Sequence, residues 1–177
     1  MKYIALLRGI NAGKQRRVDM KKLKLVFERL GLTDVETYIN SGNVIFKSPK
    51  SKNTVSADVT KILKHEFDFE IPVLIKTETE IKKIAKAIPD GWQNDKNQRT
   101  DIAYLFKEFD SEKIVTELPF NKDVADIRYV KGAVFWNLSR KDYNKSRLNK
   151  LIGCKFYKYM TLRNVNTARF LAGLKDL

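Results

Sequence analysis

The chain has 177 residues, a formal charge of +14 from 35 Lys and Arg against 21 Asp and Glu, and 43% hydrophobic residues. That length fits one large domain or two small ones with a real core, and the composition is globular, without low-complexity tracts. A single cysteine, Cys154, excludes an internal disulfide and a cysteine metal cluster, and a single histidine, His65, removes the usual zinc and triad chemistries.

No apolar run approaches the roughly 18 residues of a membrane helix, and no secretory leader pattern opens the chain, so a cytoplasmic protein without membrane contact is expected. The charge is segregated. Residues 1–33 carry nine Lys and Arg against Asp19 and Glu28, and residues 127–177 carry twelve against Asp142 and Asp176, giving +7 and +10, while the middle holds −3. If the two ends meet in space they form one basic surface that concentrates polyanions. Lysine-rich, asparagine-rich composition accounts for part of the total charge equally well.

In chain order, Lys2–Arg8 reads as a strand, and Asp19 caps a helix whose Met20, Leu23, Val26, Phe27 and Leu30 recur at helical spacing until Gly31. Val35–Ile39 and Val44–Lys47 form a hairpin about Asn40-Ser41-Gly42-Asn43. A helix with Val55, Val59, Ile62, Leu63 and Phe67 follows, then a strand at Ile71–Ile75 whose Pro72 suits an edge. This β-α-β-β-α-β order is the ferredoxin-like unit. Thr77 to Glu80 is a capping box before a helix through Ile88.

The order then repeats: a strand at 101–106, a short helix at 111–118, and strands at 125–130 and 133–138 turning at Lys131-Gly132. A helix at 145–152, a strand-like element at 155–160 and a closing helix at 164–174 complete it. The expected fold is α+β: two ferredoxin-like βαββαβ units with antiparallel sheets, closed by a C-terminal helix. The halves fall at 1–90 and 100–177, with 91–99 as linker.

Three polar loops are candidates for a site. Gly9-Ile10-Asn11-Ala12-Gly13-Lys14 is not a Walker loop, having three residues between its glycines and Gln15 after the lysine. Backbone amides there, with Arg8, Lys14, Arg16 and Arg17, still suit a phosphate or carboxylate. Ser41-Gly42-Asn43 is equally a plain hairpin turn. Arg163-Asn164-Val165-Asn166-Thr167 opens the last helix with more polarity than a cap requires. A recognition-motif reading of the first half fails, because its strands lack the paired stacking aromatics. The aromatics of Arg128-Tyr129, Phe135-Trp136 and Phe156-Tyr157-Lys158-Tyr159 interleave with cations and suit base stacking or half-buried strands.

Taken together, Leu6-Leu7-Arg8-Gly9-Ile10-Asn11 with Val18-x-Met20-x-x-Leu23, Tyr38-x-x-Ser41-Gly42-Asn43-Val44-x-Phe46, and Thr161-x-Arg163-Asn164-x-Asn166-Thr167 with Leu171 resemble the bacterial family catalogued as domain of unknown function number 1697. The chain departs from the family where Gly13-Lys14 replaces Gly-Gly and where Val165 takes an aromatic position. The resemblance implies a fold and polar motifs, and no established reaction, cofactor or oligomeric state. Loop residues of this kind mark either a site or a network that locks loops together.

The leading expectation is binding of a phosphate-bearing ligand, a nucleic acid or phosphorylated small molecule, by Arg8, Gly9, Asn11, Lys14, Ser41, Gly42, Asn43, Arg163, Asn164, Asn166 and Thr167. No metal or catalytic residue is assigned. The alternatives are an enzyme of small anionic metabolites that clamps them with Arg8 and Arg163, and a protein-interaction module whose polar motifs are structural.

Overall fold

The computed structural model describes residues 1–13 and 16–174, and its contacts divide into two units, Met1–Thr79 and Glu80–Leu177. In the first, the opening apolar run is β1 (Lys2–Leu7), followed by α1 (Met20–Arg29), β2 (Thr33–Tyr38), β3 (Asn43–Lys47), α2 (Lys52–Glu66) and β4 (Val73–Thr77). The sheet is antiparallel in the order β2-β3-β1-β4, the ferredoxin-like arrangement. Pro72 lies just before β4, an edge strand where a missing N–H costs no ladder bond.

Alternation along β1 sends Tyr3, Ala5 and Leu7 into a core closed by Leu23, Phe27, Val55, Val59 and Leu63 of the two helices. Both helices start on side-chain caps: Asp19 accepts the Lys22 N–H at 2.8 Å, and Ser51 the Thr54 N–H at 3.2 Å.

α3 (Glu78–Lys86) spans the division between the units and leads to β5 (Gln98–Leu105), α4 (Ile114–Glu117), β6 (Ala125–Val130), β7 (Ala133–Ser139), β8 (Met160–Asn164) and α5 (Val165–Leu171). The second sheet repeats the first as β6-β7-β5-β8. Even the register repeats: Lys76 stands opposite Ile4 and Arg163 opposite Ile102, and both cations are buried. The polar stretch 91–99 lies inside this unit. Gln98 and Arg99 begin β5, and the Arg140 N–H donates to the Asn97 carbonyl at 2.9 Å.

The second unit covers its sheet differently. The helix expected over 145–152 is a 3-10 turn at Leu148–Leu151, preceded by Arg147 in the left-handed region at φ 61°. A bulky side chain there interrupts α-geometry, and the local bonds run i to i+3, Lys150 N–H to Arg147 at 2.9 Å and Cys154 N–H to Leu151 at 3.1 Å. The strand-like element expected over 155–160 is another 3-10 turn, Tyr157–Tyr159, and pairing begins only at Met160. The helix expected over 111–118 contracts to α4.

Leu148, Leu151 and Phe156 nonetheless reach the core, against Ala103, Leu105, Val134, Trp136 and Leu138. The Trp136 indole N–H and the Tyr104 hydroxyl are buried without a hydrogen-bond partner among the described residues. No described helix is long and apolar enough to cross a membrane.

Candidate nucleic-acid interface

The motif after β1 and the hairpin turn form one corner of the first unit. The Leu7 N–H donates to the Gly42 carbonyl at 2.8 Å, and the Arg8 N–H to Pro72 at 2.9 Å. Asn11, left-handed at φ 54°, donates from Nδ2 to the carbonyls of Val18 and Asn40 at 3.0 Å each and accepts the Val18 N–H at 2.8 Å. Its amide thereby staples the loop to the approach of α1 and to the hairpin.

Gly42 has φ 77°, and a Cβ there would come within 2.7 Å of Leu7 Cβ and 2.8 Å of Ile10 Cδ1. Only glycine fits so close to β1. Asn43 is fully buried and donates to the Tyr38 carbonyl and Ser41 Oγ at 3.0 Å each. Arg16 covers the backbone of Gly9 and lies 5.9 Å from the Phe69 ring centre. An open depression of about 540 Å³ beside this corner is lined in part by Asn11, Arg17, Lys21 and Asn40. Lys14 lies outside the described residues.

The C-terminal motif gathers in the second unit. Arg163, only 7% exposed, donates from Nη1 to Thr161 Oγ1 at 3.0 Å and to the Leu162 carbonyl at 2.6 Å. Burial brings its pKa down to about 10, while the nearby Tyr104 pulls it upward. Asn164 caps α5 by accepting the Thr167 N–H at 2.9 Å; Thr167 is buried and Asn166 exposed. Arg169, which sequence reasoning passed over, is buried. It donates to Gln93 Oε1 at 3.1 Å and to the carbonyls of Pro89 and Asp90 at 3.4 and 3.3 Å, beyond the C-terminus of α3. A cation is favourable at that pole of a helix.

The 3-10 stretch between β7 and β8 has another character. Arg140, Lys141, Lys145, Arg147, Lys150, Lys155 and Lys158 are all exposed, and Asp142 is the one acid among residues 140–158. Lys145 reaches Asp142 at 3.5 Å, Arg140 lies close enough to Asp95 to interact with its carboxylate, and among the described residues the other five cations of this stretch form no ion pair. In the first unit, by contrast, Lys2, Lys24, Arg29, Lys47 and Lys50 each meet a carboxylate, at 3.3, 3.8, 2.8, 2.7 and 2.7 Å.

A separate depression of about 580 Å³ is lined by Lys122 together with Asp123, Asp126 and Asp142. Of the aromatics expected to interleave with cations, Phe135, Trp136 and Phe156 are core residues. The Tyr129 hydroxyl donates to Asp110 at 2.9 Å, with its pKa raised to about 12 by burial and by that carboxylate. Within the basic stretch the exposed ring is Tyr143, in Arg140-Lys141-Asp142-Tyr143-Asn144-Lys145, a basic-aromatic alternation that was present in the sequence; Phe170, on α5, is exposed too. Among the described residues, no group of three or more His, Cys, Asp or Glu is placed to hold a metal ion.

The family described as Protein of unknown function (DUF1697) matches residues 1–136. The chain belongs to that family. The matched segment stops before the basic stretch of 140–158. A solved structure of conserved bacterial protein SP0830 from Streptococcus pneumoniae is similar across 98% of this chain and 97% of its own, at 27% identity and a TM-score of 0.85. The fold is therefore shared with that protein over nearly the whole length of both chains. No protein with a curated description matches.

Proposed function

We propose that this DUF1697 protein binds nucleic acid, and that residues 140–158 are the contact surface. The observation that carries the reading is seven exposed cations on a 3-10 stretch, of which only Lys145 and Arg140 have a carboxylate close by among the described residues. Cations already matched to carboxylates add little field, whereas unmatched ones attract phosphate and release its counterions. In this reading the motif residues Asn11, Gly42, Asn43, Arg163 and Asn164 hold loops in place, since their donors and close contacts are taken up within the fold. Phosphate contact falls to the side chains outside them.

The test is a fluorescence-anisotropy titration with labelled RNA and DNA over a range of salt. With about six phosphates neutralised, affinity should fall roughly a thousandfold between low and moderately raised salt. Replacing Lys145, Arg147, Lys150 and Lys155 together by alanine should flatten the salt slope by roughly 0.7–0.9 for each phosphate no longer neutralised. No salt-sensitive binding, or a slope that the fourfold variant leaves unchanged, ends the proposal. A thermal shift caused by a nucleotide or sugar phosphate and retained in that variant would move the site to Arg8 or Arg163 and favour an enzyme of small anionic metabolites.

A further inference from the structure

We propose that the open depression of about 430 Å³ lined by Arg99, Arg140, Lys141, Tyr143 and Asn144 takes one nucleotide of a single strand, with its base stacked on Tyr143. The inference rests on the reading that this stretch contacts nucleic acid, and it names which form and where.

Three features support it. Tyr143 is 37% exposed, a rare exposure for a large ring in this chain, and the Arg99 guanidinium lies 5.6 Å from its ring centre. The two arginines are held in place before any ligand arrives. Arg99 donates from Nε to Asp101 Oδ2 at 2.7 Å, and Arg140 from Nε to the Asp95 carbonyl and from Nη2 to Asn94 Oδ1 at 3.1 Å. Among the described residues Arg140 Nη1 has no acceptor, which keeps its hydrogens for one outside the fold. Lys141 is exposed beside it.

A π-face held against Arg99, with Arg140 and Lys141 beside it for the phosphate, matches an unpaired base; Arg99, neutralised by Asp101, positions the ring. The base pairs of a duplex offer a protein their edges and backbone, and their faces are already stacked on one another. The volume falls within the roughly 300–1,000 Å³ of small-ligand sites.

The experiment is anisotropy at one fixed low salt with a labelled oligouridylate strand and, separately, a duplex of the same length. The wild-type chain should prefer the strand. Tyr143→Ala should weaken the strand about tenfold, the scale of one base–aromatic stack, while duplex affinity and the salt slope stay put. Tyr143→Phe should keep the strand affinity, because it keeps the π-face.

Equal weakening of strand and duplex by Tyr143→Ala, or no weakening of either, overturns the subsite and leaves the phosphate-binding surface standing. Failure of both probes to bind the wild-type chain overturns both readings at once. Circular dichroism of Tyr143→Ala should match wild type, since the ring is not part of the core.

Discussion

The two units build the same sheet and cover it with different material. Over β2-β3-β1-β4 lie two regular helices, one of 10 and one of 15 residues, each started by a side-chain cap. Over β6-β7-β5-β8 the corresponding crossovers are a four-residue helix and a series of 3-10 turns. Sheet order follows from strand pairing and crossover geometry, and the covering layer needs only to deliver apolar side chains to the right face. Leu148, Leu151 and Phe156 do this from turns as Val55, Val59 and Leu63 do from a helix. What the helix adds is backbone satisfaction and stiffness. What the turns leave is a stretch, 140–158, in which seven exposed cations share a single acid, Asp142.

The largest test of this contrast is a pair of core truncations. Leu63→Ala, in α2, should cost about 4 kcal/mol, and Leu151→Ala, in a turn, about 2 kcal/mol, because the cost grows with the cavity that remains and turns collapse more readily than a helix. Urea titrations followed by circular dichroism give both values; equal losses would show that the turn layer is as rigid as the helix.

Next comes Gly42→Ala, which adds a left-handed strain and a Cβ pressed against Leu7 and Ile10, with an expected loss of about 3 kcal/mol in the same urea titration. The same change at Gly31, where φ is 75° and nothing lies within 4 Å of the new Cβ, should cost only about 1 kcal/mol.

A smaller effect has the opposite sign. Tyr104→Phe removes a buried hydroxyl without a partner among the described residues and should stabilise the second unit by about 1 kcal/mol, read as a higher urea midpoint.

The smallest is a pH dependence. Burial raises the pKa of Tyr104, and burial with Asp110 raises Tyr129 to about 12, so both keep their protons longer folded than unfolded. The stability they contribute is complete below about pH 10, the ordinary tyrosine value, and is lost as pH rises towards 12. A near-ultraviolet phenolate titration of the folded chain should show two late groups, and Tyr104→Phe should remove one.

Most of the first unit was legible because its signals agree. Asp19 and Ser51 precede apolar residues at helical spacing, and Gly42 with Asn43 marks the turn. The second unit departed from expectation at three segments, 111–118, 145–152 and 155–160. Leu148, Leu151 and Ile152 fall at the spacing of a helix face, yet Arg147 turns left-handed and Ile152 is 70% exposed. Tertiary burial of three side chains decided the geometry, and local periodicity cannot report that.

The polar motifs were found as residues, but whether their donors face inward depends on hydrogen bonds between positions far apart in the chain, such as Asn11 to Asn40. Tyr143 was overlooked for the reverse reason. Its neighbours carry a chemical signal without an element boundary to frame it.

Both tryptophans, Trp92 and Trp136, lie after residue 79. Trp136 sits buried with an indole N–H that no described residue accepts, while Trp92 is half-buried with Arg128 4.9 Å from its ring centre. Their emission therefore reports on one half of the molecule alone. A denaturation curve read by tryptophan fluorescence would be blind to the first unit, and any gap between it and a far-ultraviolet curve would measure how independently the two halves come apart.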